Sequence, residues 1–143
     1  STLFDKEGYE EGLHLNLFDG FEDTESYLNY MDAFFGSIDA NDLLGMLNTW
    51  QMGDIGKHQK FNNNTKEALA NINCPALVMP SSTDLSFPAR NNIPEVSEMS
   101  DAKLVIINTK HGHLAGGMST ALTSQEDVTF IDKNIKEFLK KIT

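Results

Sequence analysis

Two residues in the last third of the chain have the types and the spacing for proton-transfer chemistry. Asp84 follows the apolar run 76–80, and His113 follows the next apolar run, 104–107. A neutral imidazole can take a proton from an attacking hydroxyl group and return it to a leaving group. A carboxylate keeps the imidazole in the required tautomer by accepting a hydrogen bond from its second ring nitrogen. Asp84 and His113 are therefore candidate members of a Ser-Asp-His triad.

The two apolar runs predict neighbouring parallel strands. Neither run has a polar interruption, which is typical of strands that are covered on both faces, and a polar loop follows each of them. Parallel strands of an open α/β sheet have their carboxyl ends at one edge, where such sheets bind ligands. We therefore expect the side chains of Asp84 and His113 to lie close together.

The order of the two residues along the chain indicates a fold. In α/β-hydrolases the triad residues follow one another as Ser, Asp or Glu, and His, whereas the other triad folds use different orders. An aspartate followed by a histidine near the end of a chain fits the first order, but no Gly-x-Ser-x-Gly pattern is present in the sequence. We expect the nucleophile to come from residues upstream of Ser1, so that this chain alone is inactive.

Two residues within the chain are weaker candidates for the nucleophile. Ser119 lies in the nearest approach to the pattern, residues 117–121, but alanine occupies its last position and no strand directly precedes it. We interpret Ser119 as part of a loop that leads to the final helix. Cys74 precedes a predicted strand, where a lone cysteine is more often a small buried hydrophobic residue than a nucleophile.

His111 and His113 form a His-x-His pattern, which can also bind a metal ion. No carboxylate or cysteine stands at a convincing spacing from them, and His14 and His58 lie in remote loops. We predict neither a metal ion nor another cofactor. His111 is expected to support the loop or to face solvent.

Four segments resemble the homoserine O-acetyltransferase-like α/β-hydrolases, namely residues 39–44, 50–55, 83–88 and 111–117. The likeness runs from about Tyr27 to the C-terminus, and it is specific as a set. It implies that Asp84 and His113 complete the triad, and that the substrate is a small-molecule ester or an acyl-CoA. An acyl-serine intermediate would pass its acyl group to homoserine, to another hydroxyl acceptor or to water.

The residues after His113 differ from those of the authentic homoserine enzymes. Those enzymes usually have Asp-Ala-Phe after the histidine, whereas residues 114–117 here are Leu-Ala-Gly-Gly. This version is similar to a branch of the same family whose members are generally called hydrolases or esterases. A carboxylic-ester hydrolase is therefore the alternative to the transferase.

Together these features predict an α/β protein, specifically the C-terminal portion of an α/β-hydrolase fold with its last parallel strands and helices. Residues 1–60 are predicted to form a lid-like helical segment, and residues 61–143 the C-terminal part of the hydrolase core. Within the first segment, residues 1–23 are acidic and weakly periodic, so we expect them to be mostly irregular.

Apolar spacing and capping residues predict five helices in the remainder of the chain. The first is expected to begin at Thr24, the second to begin at Asp39 or Ala40 and to end near Gly53, and the third to begin at Asn64 or Thr65. The fourth is expected to span residues 93–99, and the fifth to begin at Ser124. The stripes expected to face inward include Leu43, Leu44, Met46, Leu47 and Trp50 in the second helix, and Val128, Ile131, Ile135, Phe138, Leu139 and Ile142 in the last.

Composition excludes several classes of partner. The 143-residue chain has a formal net charge of −10 and no basic cluster, which argues against nucleic acid or an anionic membrane. No apolar run is long enough to span a bilayer. A single cysteine excludes an intrachain disulfide and fits a reducing cytoplasm, which is the expected location.

Two strands alone would expose their edges and apolar faces, and independent stability generally needs more strands. We expect a partner to cover them, which could be an N-terminal polypeptide that supplies the missing half, a second copy of this chain, or elements swapped between copies. The alternative to a catalytic role is a truncated, non-catalytic association module.

Overall fold

The computed structural model describes residues 3–18, 20–116 and 124–142. In chain order the helices and strands are α1 Lys6–Glu10, α2 Thr24–Gly36, α3 Ala40–Met52, α4 Thr65–Ala70, β1 Ala76–Val78, α5 Ala89–Glu98, β2 Ala102–Leu104 and α6 Gln125–Ile142. Short 3-10 turns lie at Leu13–Asn16, Ile55–Lys57, Gln59–Phe61 and Gly112–Leu114.

Strands β1 and β2 form the predicted parallel pair, with Ala76 opposite Ala102 and Val78 opposite Leu104. The backbone pairing continues beyond the strands, since Ile107 N donates to Pro80 O at 2.9 Å. Strand β2 begins two residues before the predicted run 104–107. Its pairing with β1 includes Lys103, which is polar and exposed and therefore lies outside an apolar run. An uninterrupted apolar run is therefore too strict a criterion for this strand.

Side-chain caps begin the helices at or near the expected residues. Helix α3 begins after Asp39, whose carboxylate accepts from Asn41 N, and it ends just before Gly53, as predicted. Asn64 caps α4 in the same way. The prediction that Ser124 caps the last helix is also confirmed, since its hydroxyl accepts from Asp127 N at 3.2 Å.

The predicted capping residue of α2 and the predicted start of α5 are wrong. Asp23 rather than Thr24 caps α2, because its carboxylate accepts from Ser26 N at 2.7 Å while Asp23 N donates to the Ser26 hydroxyl at 3.1 Å. Helix α5 begins at Ala89 rather than at residue 93. The helix follows directly after Pro88, and Pro94 lies within it.

Residues 1–23 contain more structure than the sequence predicted where the structure describes them, although most of these residues are irregular. They contain α1 and the turn Leu13–Asn16, and they contribute Phe4 and Leu17 to a buried cluster with Tyr27 and Leu114. Elements of four or five residues are too short to show a helical period. The core of the described chain thus begins in a segment for which the sequence predicted little structure.

This N-terminal segment also supports the loop that carries His113. The backbone N of His113 donates to Leu3 O at 2.9 Å. Gly112 has φ +52, and a Cβ atom at this position would collide with the same Leu3 carbonyl. Lys110 forms an ion pair with Glu11. The segment therefore fixes the loop both through its backbone and through a position that only glycine fits.

Large apolar side chains are exposed on the outer helices. Helix α3 has no buried residue, so the expected inward stripe is wrong for Leu44, Met46, Leu47 and Trp50, and Leu43 is only half-buried. In α6, Ile135, Leu139 and Ile142 are likewise exposed. Within the ranges that the structure describes, no helix is both long enough and apolar enough to cross a membrane.

The burial of Phe4 allows a test of the N-terminal core. Phe4 is 1% exposed, whereas Phe35 on α2 is 54% exposed. We expect Phe4→Ala to lower the free energy of unfolding by about 3 kcal/mol, because it removes a buried ring and leaves a cavity. Phe35→Ala is the matched control and should cost much less. Urea unfolding followed by circular dichroism measures both, and equal losses would contradict this assignment of the core.

Candidate active site

The structure brings Asp84 and His113 together, as their predicted positions required. Asp84 lies in the loop after β1 and His113 in the 3-10 turn after β2, and the His113 Nδ1 atom is 3.0 Å from Asp84 Oδ2. The side chain of Asp84 is 10% exposed and that of His113 is 36% exposed. The carboxylate is thus sheltered, while the imidazole remains accessible from one side.

A tight loop orders the Asp84 carboxylate. Its Oδ1 atom accepts hydrogen bonds from Ser86 N and Phe87 N, each at 2.8 Å, which leaves Oδ2 for His113. Burial raises the pKa of Asp84, but the hydrogen bonds from Phe87 N, His113 and Ser86 N together outweigh it. The pKa of Asp84 therefore lies below its ordinary value, and the group is ionised at neutral pH.

The ionised carboxylate fixes the tautomer of His113. A carboxylate can only accept a hydrogen bond, so the proton between the two residues resides on His113 Nδ1. In a neutral imidazole the second nitrogen, Nε2, then carries the lone pair. This is the tautomer that a general base needs when a hydroxyl group approaches Nε2.

An aromatic pair, Trp50 and Phe87, extends from the imidazole to helix α3. The ring of Phe87 lies 5.4 Å from that of His113, and the Trp50 ring lies 5.4 Å from that of Phe87. Phe87 is 48% exposed and Trp50 is 61% exposed. The side of His113 next to this pair is therefore apolar and open. Sequence analysis gave Phe87 no role, although it lies in the segment 83–88.

His111 belongs to a different cluster from His113. Its Nδ1 atom is 3.0 Å from Thr109 Oγ1 and 3.5 Å from Oδ2 of Asp127, which is 5% exposed. His111 thus supports the loop, which is one of the two expectations for it. Among the described residues, no group of three or more His, Cys, Asp and Glu side chains could hold a metal ion.

Of the two weaker nucleophile candidates, the structure describes only Cys74. Ser119 lies outside the described residues. Cys74 is exposed, so the interpretation of it as a buried residue is wrong. It precedes the amino end of β1, whereas Asp84 follows the carboxyl end of that strand. A cysteine at the opposite end of the sheet is poorly placed to give a proton to His113.

Comparisons with known proteins identify similar esterases. The chain is 34% identical over 122 residues to a probable esterase of Corynebacterium glutamicum, a match that covers 85% of this chain and 33% of the relative. It is 29% identical over 109 residues to an ethyl acetate hydrolase of Pseudomonas veronii, with 76% of this chain and 30% of the relative covered. No model of a known protein family matches the chain.

Solved structures give the same result. The fold is similar to that of an acetylester hydrolase from Corynebacterium glutamicum, with a TM-score of 0.72 and 31% identity, and the match covers 97% of this chain and 38% of that one. The acetyl esterase MekB gives a TM-score of 0.72 and 26% identity, with the same coverage of both chains.

The similar proteins are esterases, and this chain spans about a third of the length of the curated relatives that it matches. The fold is accordingly similar to part of the fold of these esterases, as expected for part of an α/β-hydrolase. These relatives support the hydrolase alternative better than the homoserine acetyltransferase, because all of them are esterases or ester hydrolases.

The depressed pKa of Asp84 predicts a pH-dependent contribution to stability. Because the pKa of Asp84 in the folded chain lies below its ordinary value of 3.8, ionised Asp84 stabilises the fold above that pH, and this contribution is lost as pH falls through the lower pKa. We expect Asp84→Asn to have a lower Tm than the parent at neutral pH. The two Tm values should converge only below pH 3.8.

Thermal unfolding across a pH series measures this difference. Asp101→Asn, at an exposed position, is the control and should change Tm little at neutral pH. Convergence of the Asp84→Asn and parent Tm values well above pH 3.8 would contradict the assignment to the Asp84 carboxylate.

Proposed function

We propose that this chain is part of a serine-dependent carboxylic-ester hydrolase, in which His113 transfers the proton and Asp84 orients the His113 side chain. The observation that carries the proposal is the hydrogen bond of 3.0 Å between His113 Nδ1 and Asp84 Oδ2. It lies beyond the carboxyl ends of two parallel strands, where open α/β sheets place their chemistry. Similarity to esterases supports the same reaction class.

In the proposed mechanism, a serine from a polypeptide segment beyond this chain attacks the ester carbonyl carbon. His113 Nε2 takes the hydroxyl proton, and the carboxylate of Asp84 stabilises the resulting imidazolium. When the C–O bond to the alcohol breaks, Nε2 returns the proton to the departing oxygen. The acyl group then remains on the serine as an ester.

Water completes the cycle. His113 Nε2 takes a proton from the attacking water, a bond forms between the water oxygen and the acyl carbon, and the serine oxygen leaves with the proton from the imidazolium. The products are an alcohol and a carboxylic acid. In the second candidate function, acyl transfer, an acceptor hydroxyl such as that of homoserine would replace water, and acetyl-CoA would be the donor.

The substrate is proposed to be a small ester with an apolar group. Phe87 and Trp50 are exposed beside the imidazole, so a short acyl or alkyl group could pack against their rings. One of the similar proteins is an ethyl acetate hydrolase, and ethyl acetate is a substrate of this size.

The nucleophile-bearing segment is also the proposed partner for the apolar surface. Helices α3 and α6 expose large apolar side chains that a soluble chain normally covers. A segment that packs on these two helices would place the nucleophilic serine in the same assembly as Asp84 and His113. A lid formed by residues 1–60 remains a proposal, and a second copy of the chain is the other possible cover.

A chimera tests the catalytic proposal. This chain would replace the aligned segment of the Corynebacterium glutamicum acetylester hydrolase, which supplies the remaining part of a similar fold. We expect the chimera to hydrolyse p-nitrophenyl acetate, and the 143-residue chain alone to show no such activity. Asp84→Asn and His113→Ala should each lower kcat by about 10⁴-fold, since either change removes the oriented base.

His58→Ala is the matched control, because His58 is an exposed histidine that contacts Lys60 N rather than a carboxylate. Its activity should equal that of the parent chimera. Parent-like activity of Asp84→Asn and His113→Ala would exclude the catalytic role and favour the association module. Formation of O-acetylhomoserine from added homoserine and acetyl-CoA would favour the transferase.

A further inference from the structure

We infer that Asp127, Thr109 and Thr83 are positioning residues, which hold the His113 loop in register with the Asp84 loop. The inference rests on the proposed function, because it assigns these residues to the alignment of the same proton-transferring pair. None of the described hydrogen bonds joins a side chain of these three residues to the His113 side chain or to the Asp84 carboxylate. Their effect is transmitted through the backbone of the two loops.

The first part of this network is a buried carboxylate at the start of α6. Asp127 is 5% exposed, and its Oδ2 atom accepts from the Thr109 hydroxyl at 2.6 Å. A buried carboxylate is costly unless polar groups compensate it, so its presence here ties the helix to the loop. The cap from Ser124 to Asp127 N fixes the first turn of the helix from which the carboxylate projects.

Thr109 distributes this attachment to the His113 loop. Its single hydroxyl proton is donated to Asp127, so the same oxygen must accept from His111 N at 3.1 Å and from His111 Nδ1 at 3.0 Å. His111 Nδ1 therefore carries a proton. Removal of the Thr109 hydroxyl would deprive His111 N of its acceptor and Asp127 of its shortest hydrogen bond.

Thr83 connects the two loops directly. Its hydroxyl donates to Thr109 O at 2.6 Å and accepts from Gly112 N at 3.1 Å. Thr83 is the neighbour of Asp84 in the sequence, and Gly112 is the neighbour of His113. One hydroxyl group thus joins the two backbone segments that carry the catalytic candidates.

A positioning role and a general supporting role predict different effects of the same substitutions. Thr109 and Thr83 need a hydroxyl group at one position, so Thr→Ser should be tolerated and the nearly isosteric Thr→Val should not. A residue that only fills space would show the opposite preference. Asp132 on the same helix pairs with Lys136 at 2.7 Å on an exposed surface, and Asp132→Asn is therefore the matched control for Asp127→Asn.

The first experiment observes the pair itself and needs no catalysis. In the 143-residue chain with ¹⁵N-labelled histidine, the His113 Nδ1–H proton signal reports its hydrogen bond to Asp84, and Asp84→Asn identifies it by its loss. We expect Asp127→Asn and Thr109→Val to speed exchange of this proton with water by about 10-fold or more, since the two loops lose their alignment. Thr109→Ser and Asp132→Asn should leave the exchange rate unchanged.

The second experiment uses the chimera. Asp127→Asn, Thr109→Val and Thr83→Val should lower kcat for p-nitrophenyl acetate by about 10- to 100-fold with little change in KM, because misplacement of the base affects the chemical step. Thr109→Ser and Thr83→Ser should restore most of the rate. An inactive parent chimera would count against the proposed function, while the exchange measurement would still test the positioning role.

Two results would overturn the inference. One is an unchanged exchange rate and an unchanged kcat in Asp127→Asn and Thr109→Val. The other is a loss of kcat in Thr109→Ser and Asp132→Asn that equals the loss in Thr109→Val and Asp127→Asn. If the far-ultraviolet circular dichroism signal were lost as well, the effect would be one on folding in general. In the first case, loss of the proton signal in Asp84→Asn would still support the pair of Asp84 and His113, while the positioning role would be rejected.

Discussion

The register of the two parallel strands is the constraint on which the candidate site depends. The pairing of Val78 with Leu104 continues through the bridge between Ser81 and Ile107, and the loops that carry Asp84 and His113 begin just after it. A slip by one residue would move one loop about 3.3 Å relative to the other. A hydrogen bond of 3.0 Å could not survive such a shift. Strand pairing, rather than either loop alone, therefore determines whether the pair exists.

The residue after His113 shows how this loop is joined to the core. Leu114 is 4% exposed and belongs to the same buried cluster as Phe4, Leu17 and Tyr27. An aspartate at this position would place a carboxylate among apolar side chains at considerable cost. The leucine thus fits this fold locally and ties the loop of His113 to the core.

Sequence analysis predicted the features that have local signals. Apolar runs and polar loops indicated two parallel strands and the approach of Asp84 to His113, and capping residues indicated most helix starts. Thr83, Thr109 and Asp127 were missed as parts of the site, because threonine and aspartate are common in loops and first turns and only the tertiary fold brings these three together. The apolar stripes of α3 and α6 showed which residues prefer burial, but a stripe cannot identify the surface that covers it.

The polar and the apolar parts of this chain differ in their dependence on other polypeptides. The Asp84 carboxylate, the loop that carries His113 and Asp127 each find hydrogen-bond partners within this chain. The exposed apolar faces of α3 and α6, in contrast, have no such cover among the described residues. We therefore infer that an added nucleophile-bearing segment would meet a base that is already oriented. Packing against that segment would then contribute stability and the attacking hydroxyl group, whereas the tautomer and the direction of the imidazole would come from the chain itself.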